Sequence, residues 1–134
     1  MDDFGHWKLP ESMIDIPQDA IGFVYCILNN YNGKKYIGRK LLENKKRRKP
    51  LKGRVNARRY KVESDWREYC GSNRQLNEDI IKEGKENFTF KILSFHPSKL
   101  FLAYHETKAI VDANAIFSNE FYNEVLNLRI RSRK

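Results

Sequence analysis

Residues 22–38 read GFVYCILNNYNGKKYIG, with runs of β-branched and aromatic residues on either side of an Asn-Gly turn signal. Such runs are typical of β-strands, and Asn32-Gly33 favours a type I′ turn because both central positions need a positive φ. We therefore predict a β-hairpin with a two-residue turn. The turn fixes the opposed pairs as Tyr31 with Lys34, Asn29 with Tyr36, and Ile27 with Gly38.

The two tyrosines of this hairpin, Tyr25 and Tyr36, share one of its faces, because side chains alternate along a strand. Gly38 lies between them, and its missing side chain leaves a gap through which a ligand backbone can approach the sheet. From the hairpin alone, tyrosines that simply cover a hydrophobic core are the better interpretation. A functional interpretation needs further residues.

The segment after the hairpin, residues 39–61, has twelve Lys or Arg and one acid, Glu43. Pro50 and Gly53 interrupt any regular pattern, so we predict an inserted basic loop. A run of solvated charge is one explanation. So many like charges repel one another, however, unless a polyanion neutralises them.

The rest of the chain alternates between helical and strand patterns. Ser72 and Gln75 form a capping-box pattern, Gly84 stands where a helix C-terminus favours positive φ, and Pro97-Ser98 is typical of a helix start. Residues 88–94 alternate as a strand does. We predict a short helix over 63–69, helices over 73–83 and 97 to about 114, a third strand over 88–94, and an irregular N-terminal arm over 1–21.

Glu106 is the most unusual charge in the predicted second helix. Its neighbours three and four positions away are Leu102, Ala103, Ala109 and Ile110, so the carboxylate projects from an apolar stripe. A charge in such a place is costly unless a divalent cation, an arginine or protonation compensates it. A second stripe, Phe101, Tyr104 and Val111, leaves open which side of the helix is buried.

The composition limits the class of protein. At 134 residues with 40% hydrophobic content, the chain has enough apolar residues for one core, and we assign residues 22–134 to one domain. The net charge of +9 and the pI near 9.6 predict a polyanionic partner. No stretch is typical of a membrane span or a signal peptide, so we expect an unexported protein. Cys26 and Cys70 form no CxxC pair, which argues against a zinc site.

An ordered set of short motifs runs through residues 22–123. The set comprises Phe23-Val24-Tyr25, Tyr36-Ile37-Gly38, Gly71-Ser72, Leu76, residues 84–88, Ile92-Leu93, Glu106 and Tyr122-Asn123. In this order and spacing it resembles the GIY-YIG nuclease domain, in particular short phage-encoded members with a basic insertion after the second triplet. The second triplet matches letter for letter, whereas Phe23-Val24 stand where the family name has Gly-Ile.

The resemblance implies a fold, an activity and a cofactor. The fold is α/β (α+β), with a three-stranded antiparallel sheet flanked by helices, and the activity is a DNA endonuclease that depends on Mg²⁺ or Mn²⁺. Glu106 is implied as the metal ligand. Tyr25 and Tyr36 are implied as site residues, one of them positioning or deprotonating the attacking water.

An arginine that stabilises the phosphate is also implied, but the basic insertion shifts the register there. Arg39 and Arg67 are both candidates, and we prefer Arg67, beside Trp66. Tyr69 stands where family members often have a histidine. Asn123 is an amide that can brace the site from the following segment, although a turn or capping role fits this residue type equally well.

The chemistry explains why these residue types occur together. Phosphodiester hydrolysis needs an oriented water, removal of its proton, a cation at the leaving 3′ oxygen and positive charge on the nonbridging oxygens. Tyrosine, with a pKa near 10, is a poor base. Nearby positive charge must therefore lower that pKa, or the metal must activate the water itself.

Next to a nuclease-like hairpin, the basic loop is better explained as a clamp on the phosphate backbone of double-stranded DNA. The rival hypothesis is a nucleic-acid-binding module of the same fold that has lost its catalytic activity. We expect a cytoplasmic location, in the host cell if the chain is phage-encoded, and a homodimer is one arrangement that reaches both strands. The predicted DNA-binding residues are Gly38, Lys40, Lys45, Lys46, Arg47, Arg48, Arg58 and Arg59.

Overall fold

The computed structural model describes residues 3–48, 52–53, 58–126 and 128–132. Six strands and two α-helices follow one another along the chain, with three short 3₁₀ helices between them. The strands are β1 Trp7–Lys8, β2 Gly22–Asn29, β3 Lys35–Leu41, β4 Glu43–Arg48, β5 Arg58–Glu63 and β6 Phe88–His96. The helices are α1 Arg74–Glu83 and α2 Lys99–Asp112, and the 3₁₀ helices are Trp66–Glu68, Lys85–Asn87 and Ala115–Phe117.

The main sheet has four strands in the order β1-β6-β2-β3. Its three long strands are antiparallel, as predicted, but β1 adds a parallel strand beside β6. The prediction of a three-stranded antiparallel sheet thus holds for the three long strands and misses the short parallel strand β1. The arm was also not irregular throughout, because its residues Trp7–Lys8 form β1. Trp7 is 5% exposed and packs edge-on against Phe23. Two residues are too short a strand to leave a period in the sequence.

The β2–β3 hairpin forms, but its register differs from the predicted one by two residues. Tyr25 lies opposite Gly38, and Ile27 lies opposite Tyr36. The turn is longer than predicted, because only Gly33 takes a positive φ and its N–H donates to the Asn29 carbonyl at 2.8 Å. A shift of two residues preserves the side-chain alternation. Tyr25 and Tyr36 therefore share a face, as predicted.

The basic segment is not a loop where the structure describes it. β4 and β5 form a separate two-stranded antiparallel sheet, which we call the basic ribbon (residues 43–48 and 58–63). The pairing runs from Glu43 opposite Glu63 to Arg48 opposite Arg58. Charged residues dominate both strands, so the apolar alternation that usually reveals a strand is missing.

Two of the three predicted helices, those over 73–83 and 97 to about 114, are confirmed, with a correction at the cap of the first of them. Asn73, not Ser72, is the N-cap of α1, and its side chain accepts the N–H of Leu76 at 2.9 Å. Gly84 ends the helix with a φ of 90°, as expected. Ser98 caps α2. The helix predicted over 63–69 is reduced to the 3₁₀ turn Trp66–Glu68.

The sheet separates two hydrophobic clusters. The larger one lies on the face that carries the tyrosines; its buried members are Trp7, Phe23, Tyr25, Ile27, Trp66, Leu76, Phe88, Phe90, Ile92 and Tyr122. On the opposite face α2 packs through Leu102 and Ile110 against Val24 and Ile37. This packing settles which side of α2 is buried. Phe101, Tyr104 and Val111 face outward.

Candidate active site

A cleft of about 290 Å³ lies along the edge strand β3. Its wall includes residues from both faces of the sheet, from α2 and from the C-terminal segment. These residues are Tyr25, Tyr36, Ile37, Arg39, Ser72, Glu106, Thr107, Ile110, Asn123, Val125 and Leu126. The structure thus brings together five of the six residues predicted for catalysis. Arg67 is the exception.

Tyr25 is the most enclosed of these residues, with only 1% of its surface exposed. Its ring fills the space beside Gly38, where a Cβ atom would collide with the phenol. The gap predicted at Gly38 is therefore occupied by the tyrosine and is not open to a ligand backbone. Burial, together with Tyr36, Tyr69 and Glu106, raises the pKa of Tyr25 well above 10.

Tyr36 lies at the rim of the cleft, with its ring centroid 6.2 Å from that of Tyr25. Its hydroxyl lies 3.1 Å from Oγ of Ser72, within hydrogen-bonding distance. Gly71, at a φ of 86°, lets the chain pass close to both tyrosine rings. Burial raises the pKa of Tyr36, and the Ser72 hydroxyl partly opposes that increase. Ser72, which we had read as a helix cap, therefore belongs to the site.

Glu106 extends from the packed side of α2 into the cleft, with 20% of its side chain exposed. Burial raises the pKa of its carboxyl, and the guanidinium of Arg39 opposes that increase. Nη1 of Arg39 donates to Oε1 of Glu106 at 3.2 Å. The sequence left an arginine or a cation open as the partner of this carboxylate. In the folded chain the arginine contact is present.

Arg67, the arginine we preferred from the sequence, lies outside the cleft. Its guanidinium is paired with Glu63 and stacks on Trp66 at 4.5 Å, and its Nε donates to the carbonyl of Asp3 at 2.7 Å. These contacts fix it beneath the N-terminal arm. Arg39, the other candidate, is the arginine that lies beside Glu106, and the assignment of either arginine to the phosphate stays a prediction.

Asn123 braces the edge strand. It is 6% exposed, and its amide accepts the N–H of Ile37 at 3.0 Å and donates to the carbonyl of Ile37 at 2.8 Å. The amide thereby occupies the position of a missing neighbouring strand. Because Ile37 follows Tyr36 directly, Asn123 holds that tyrosine in register with the cleft.

The family described as "Putative endonuclease segE, GIY-YIG domain" matches residues 7–126. The chain belongs to the GIY-YIG family. No curated protein and no solved structure matches it. The family match begins at Trp7, so β1 lies within the GIY-YIG domain together with the basic ribbon. Membership implies nuclease activity in general and a nucleic acid as substrate.

Several residues predicted to contact DNA lie outside the GIY-YIG cleft. Lys40 forms an ion pair with Asp65, with 2.6 Å between Nζ and Oδ1, and its Nζ lies 4.0 Å from the centroid of the Tyr69 ring. Lys45 and Arg59 are exposed on the basic ribbon. The strand register also places Lys46, Arg47, Arg48 and Arg58 in the ribbon.

The chain has no candidate for a closed metal cage within its described residues, since none of them form a cluster of three or more His, Cys, Asp or Glu. Glu106 is the carboxylate that lines the cleft. None of the helices in the described ranges is long and apolar enough to cross a membrane.

Proposed function

We propose that the chain is a divalent-metal-dependent endonuclease that hydrolyses phosphodiester bonds in double-stranded DNA. The observation that carries this proposal is the position of the Glu106 carboxylate, in one cleft with the hydroxyls of Tyr25 and Tyr36. A partly buried carboxylate raises the free energy of the fold unless an opposite charge or hydrogen bonds compensate it, and a bound cation is such a compensation. A module that only binds DNA has no use for such a carboxylate.

Glu106 suits Mg²⁺ or Mn²⁺ better than zinc. Mg²⁺ keeps several waters and takes one or two carboxylates together with phosphate oxygens of the substrate, whereas zinc sites need three or four protein ligands. When bound, the cation supplies a Lewis acid at the leaving 3′ oxygen. Only Glu106 need hold it, because the substrate and solvent provide the other oxygens.

We expect the two tyrosines to act as hydrogen-bond donors toward the substrate or the attacking water. Their raised pKa values keep both hydroxyls protonated at neutral pH. Each hydroxyl can therefore orient the attacking water or a nonbridging oxygen. Direct deprotonation of Tyr25 or Tyr36 needs extra positive charge in the cleft. We therefore assign both tyrosines mainly to positioning the water or the phosphate, rather than to removing a proton.

Arg39 supplies positive charge for the phosphate. Its side chain is 43% exposed, so the guanidinium has room to leave Glu106 and meet a nonbridging oxygen. A fixed cation at that point stabilises the charge that develops in the transition state. Arg39 and the metal use the same carboxylate, so we expect Arg39 to move onto the phosphate when the metal binds.

The test is a plasmid-cleavage assay with Mg²⁺ or Mn²⁺, beside a chelator control and Glu106→Ala. We expect cutting that requires the metal and is lost in the variant. A folded Glu106→Ala protein that cuts at the wild-type rate would overturn the site assignment. Wild-type protein that binds the plasmid but leaves it intact with either metal would support a binding module instead.

A further inference from the structure

A groove continues from the active-site cleft along the α2 side of the sheet. A second depression, between β3 and α2, shares Arg39 with the cleft. A third, of about 240 Å³, shares Leu41 and Lys99 with the second and is bounded by the base of the basic ribbon. Each depression shares lining residues with the next, so the three lie side by side between Glu106 and the ribbon.

Along this groove, the wall formed by α2 carries a negative charge at Glu106 and a positive charge at Lys99. Lys99, Leu102, Glu106 and Ile110 are spaced three, four and four residues apart, which places them on one side of the helix. Lys99 stands two turns before Glu106, about 10 Å along the helix axis. The Lys99 ammonium therefore lies within a few nucleotides of any phosphate that enters the cleft beside Arg39 and Glu106.

The ribbon supplies two more cations to the far end of the groove. Lys45 lies directly opposite Lys61, and both line the third depression with Lys99. Glu43 is the acid in that lining, but none of the three lysines forms an ion pair with a carboxylate of the described residues. Opposed like charges destabilise a strand pair. An anion between them removes this repulsion.

We propose that the sugar–phosphate backbone of the cleaved DNA strand lies in this groove, with Lys99, Lys45 and Lys61 holding phosphates on one side of the scissile bond. The inference rests on the proposed function, since it takes DNA as the ligand. On the C-terminal segment the cleft wall includes Val125 and Leu126, which are 73% and 45% exposed and carry no charge for a phosphate. The ionic contacts are therefore asymmetric about the bond that is cut.

The experiment compares two triple variants that lose the same charge. The groove variant is Lys45→Ala, Lys61→Ala and Lys99→Ala. The control is Lys8→Ala, Lys82→Ala and Lys91→Ala, which removes exposed lysines of β1, α1 and β6 that line none of the three depressions. Affinity for a labelled DNA duplex is measured with a chelator present, from about 50 to 200 mM salt.

We expect the groove variant to flatten the slope of log affinity against log salt by nearly three units, about 0.9 for each lost phosphate contact. The control should change the slope by less than one unit. Lys99→Ala alone should change it by about one unit, which keeps the test valid if the triple variant is poorly folded. Equal slopes for the groove variant and the control would overturn the proposal.

Two further results separate this proposal from the function on which it rests. If the groove variant and the control differ in salt slope but the wild-type protein cuts no DNA, the groove is retained as a DNA path and the nuclease activity is rejected. Duplex RNA that displaces the labelled DNA at lower concentration than unlabelled duplex DNA would overturn DNA as the ligand. On DNA that is cut, neutral methylphosphonates on one side of the scissile bond should weaken wild-type binding and leave the groove variant nearly unchanged.

Discussion

The active-site cleft and the basic ribbon hold their polar groups in opposite ways. In the cleft, Tyr25 and Asn123 are buried, and packing or paired hydrogen bonds fix their positions. In the ribbon, Lys45 and Lys61 are exposed and face each other as like charges. Cleft residues therefore act through position, whereas ribbon residues act through the density of charge. Single substitutions should change the cleavage rate strongly in the cleft and have small effects in the ribbon.

The largest effect is expected at Glu106. Glu106→Gln keeps the size of the side chain and removes the charge that we propose holds the metal. We expect the single-turnover rate of cleavage to fall by about a thousandfold or more. DNA affinity measured with a chelator present should remain close to wild type. Glu78→Gln, on α1 and outside the cleft, is the matched control and should leave the rate unchanged.

The tyrosines come next. Tyr25→Phe and Tyr36→Phe should each lower the single-turnover rate by about a hundredfold, as expected when a positioned hydroxyl is lost, with little change in DNA affinity. Tyr31→Phe, an exposed tyrosine in the hairpin turn, serves as control. Parallel losses of binding and rate would mean that the cleft tyrosines act through packing alone, which would remove the contrast with the ribbon.

Arg39→Ala and Arg67→Ala form a direct comparison. We expect Arg39→Ala to slow cleavage at saturating DNA by about tenfold or more, because a cation next to the phosphate is lost. It should also raise the pKa of Glu106 further and move the acid limb of the rate profile to higher pH. Arg67→Ala should leave both properties at their wild-type values. The opposite result would restore the assignment made from the sequence.

A smaller effect concerns stability and pH. Burial raises the folded-state pKa of Glu106 above its ordinary value of 4.5, so the folded protein holds this proton more tightly than the unfolded chain. Stability is then lost as the pH rises from about 4.5 through the folded-state pKa. Glu106→Gln should therefore raise the Tm at pH 7. Thermal unfolding at about pH 4, where the carboxyl is protonated in both states, should show no gain.

The smallest effect is expected in the ribbon. Lys45→Ala removes one member of the opposed lysine pair and should raise the Tm by about 1–2 °C at low salt. High salt screens the repulsion and should abolish the difference. A Tm that falls equally at both salt concentrations would show that Lys45 stabilises the ribbon through packing, as a cleft residue does.

The sequence predicted the hairpin, the two α-helices α1 and α2, and the shared face of the tyrosines, because each leaves a local period. The tyrosine prediction survived an error in register, since a shift of two residues keeps the alternation intact. Glu106 was found because it interrupts an apolar stripe. A carboxylate in such a position is rare enough to be informative without any tertiary information.

Features set by tertiary contacts could not be predicted in the same way. The ribbon returns the chain to its starting point, where the Ser64 N–H donates to the Leu42 carbonyl at 2.9 Å. Arg39, which precedes the ribbon, lies beside Glu106. Arg67, which follows the ribbon, lies beneath the N-terminal arm. Nothing in the residue order distinguishes these two arginines. The two-residue strand β1 depends likewise on a distant partner, β6.

The bond pair between Asn123 and Ile37 has a consequence for protein synthesis. The two residues are 86 positions apart, so β3 acquires its brace only after almost the whole described chain has left the ribosome. A nascent chain that ends before Asn123 carries Tyr36 on an unbraced edge strand, open to pairing with other chains. The cleft therefore takes the arrangement described above only once Asn123 has been synthesised.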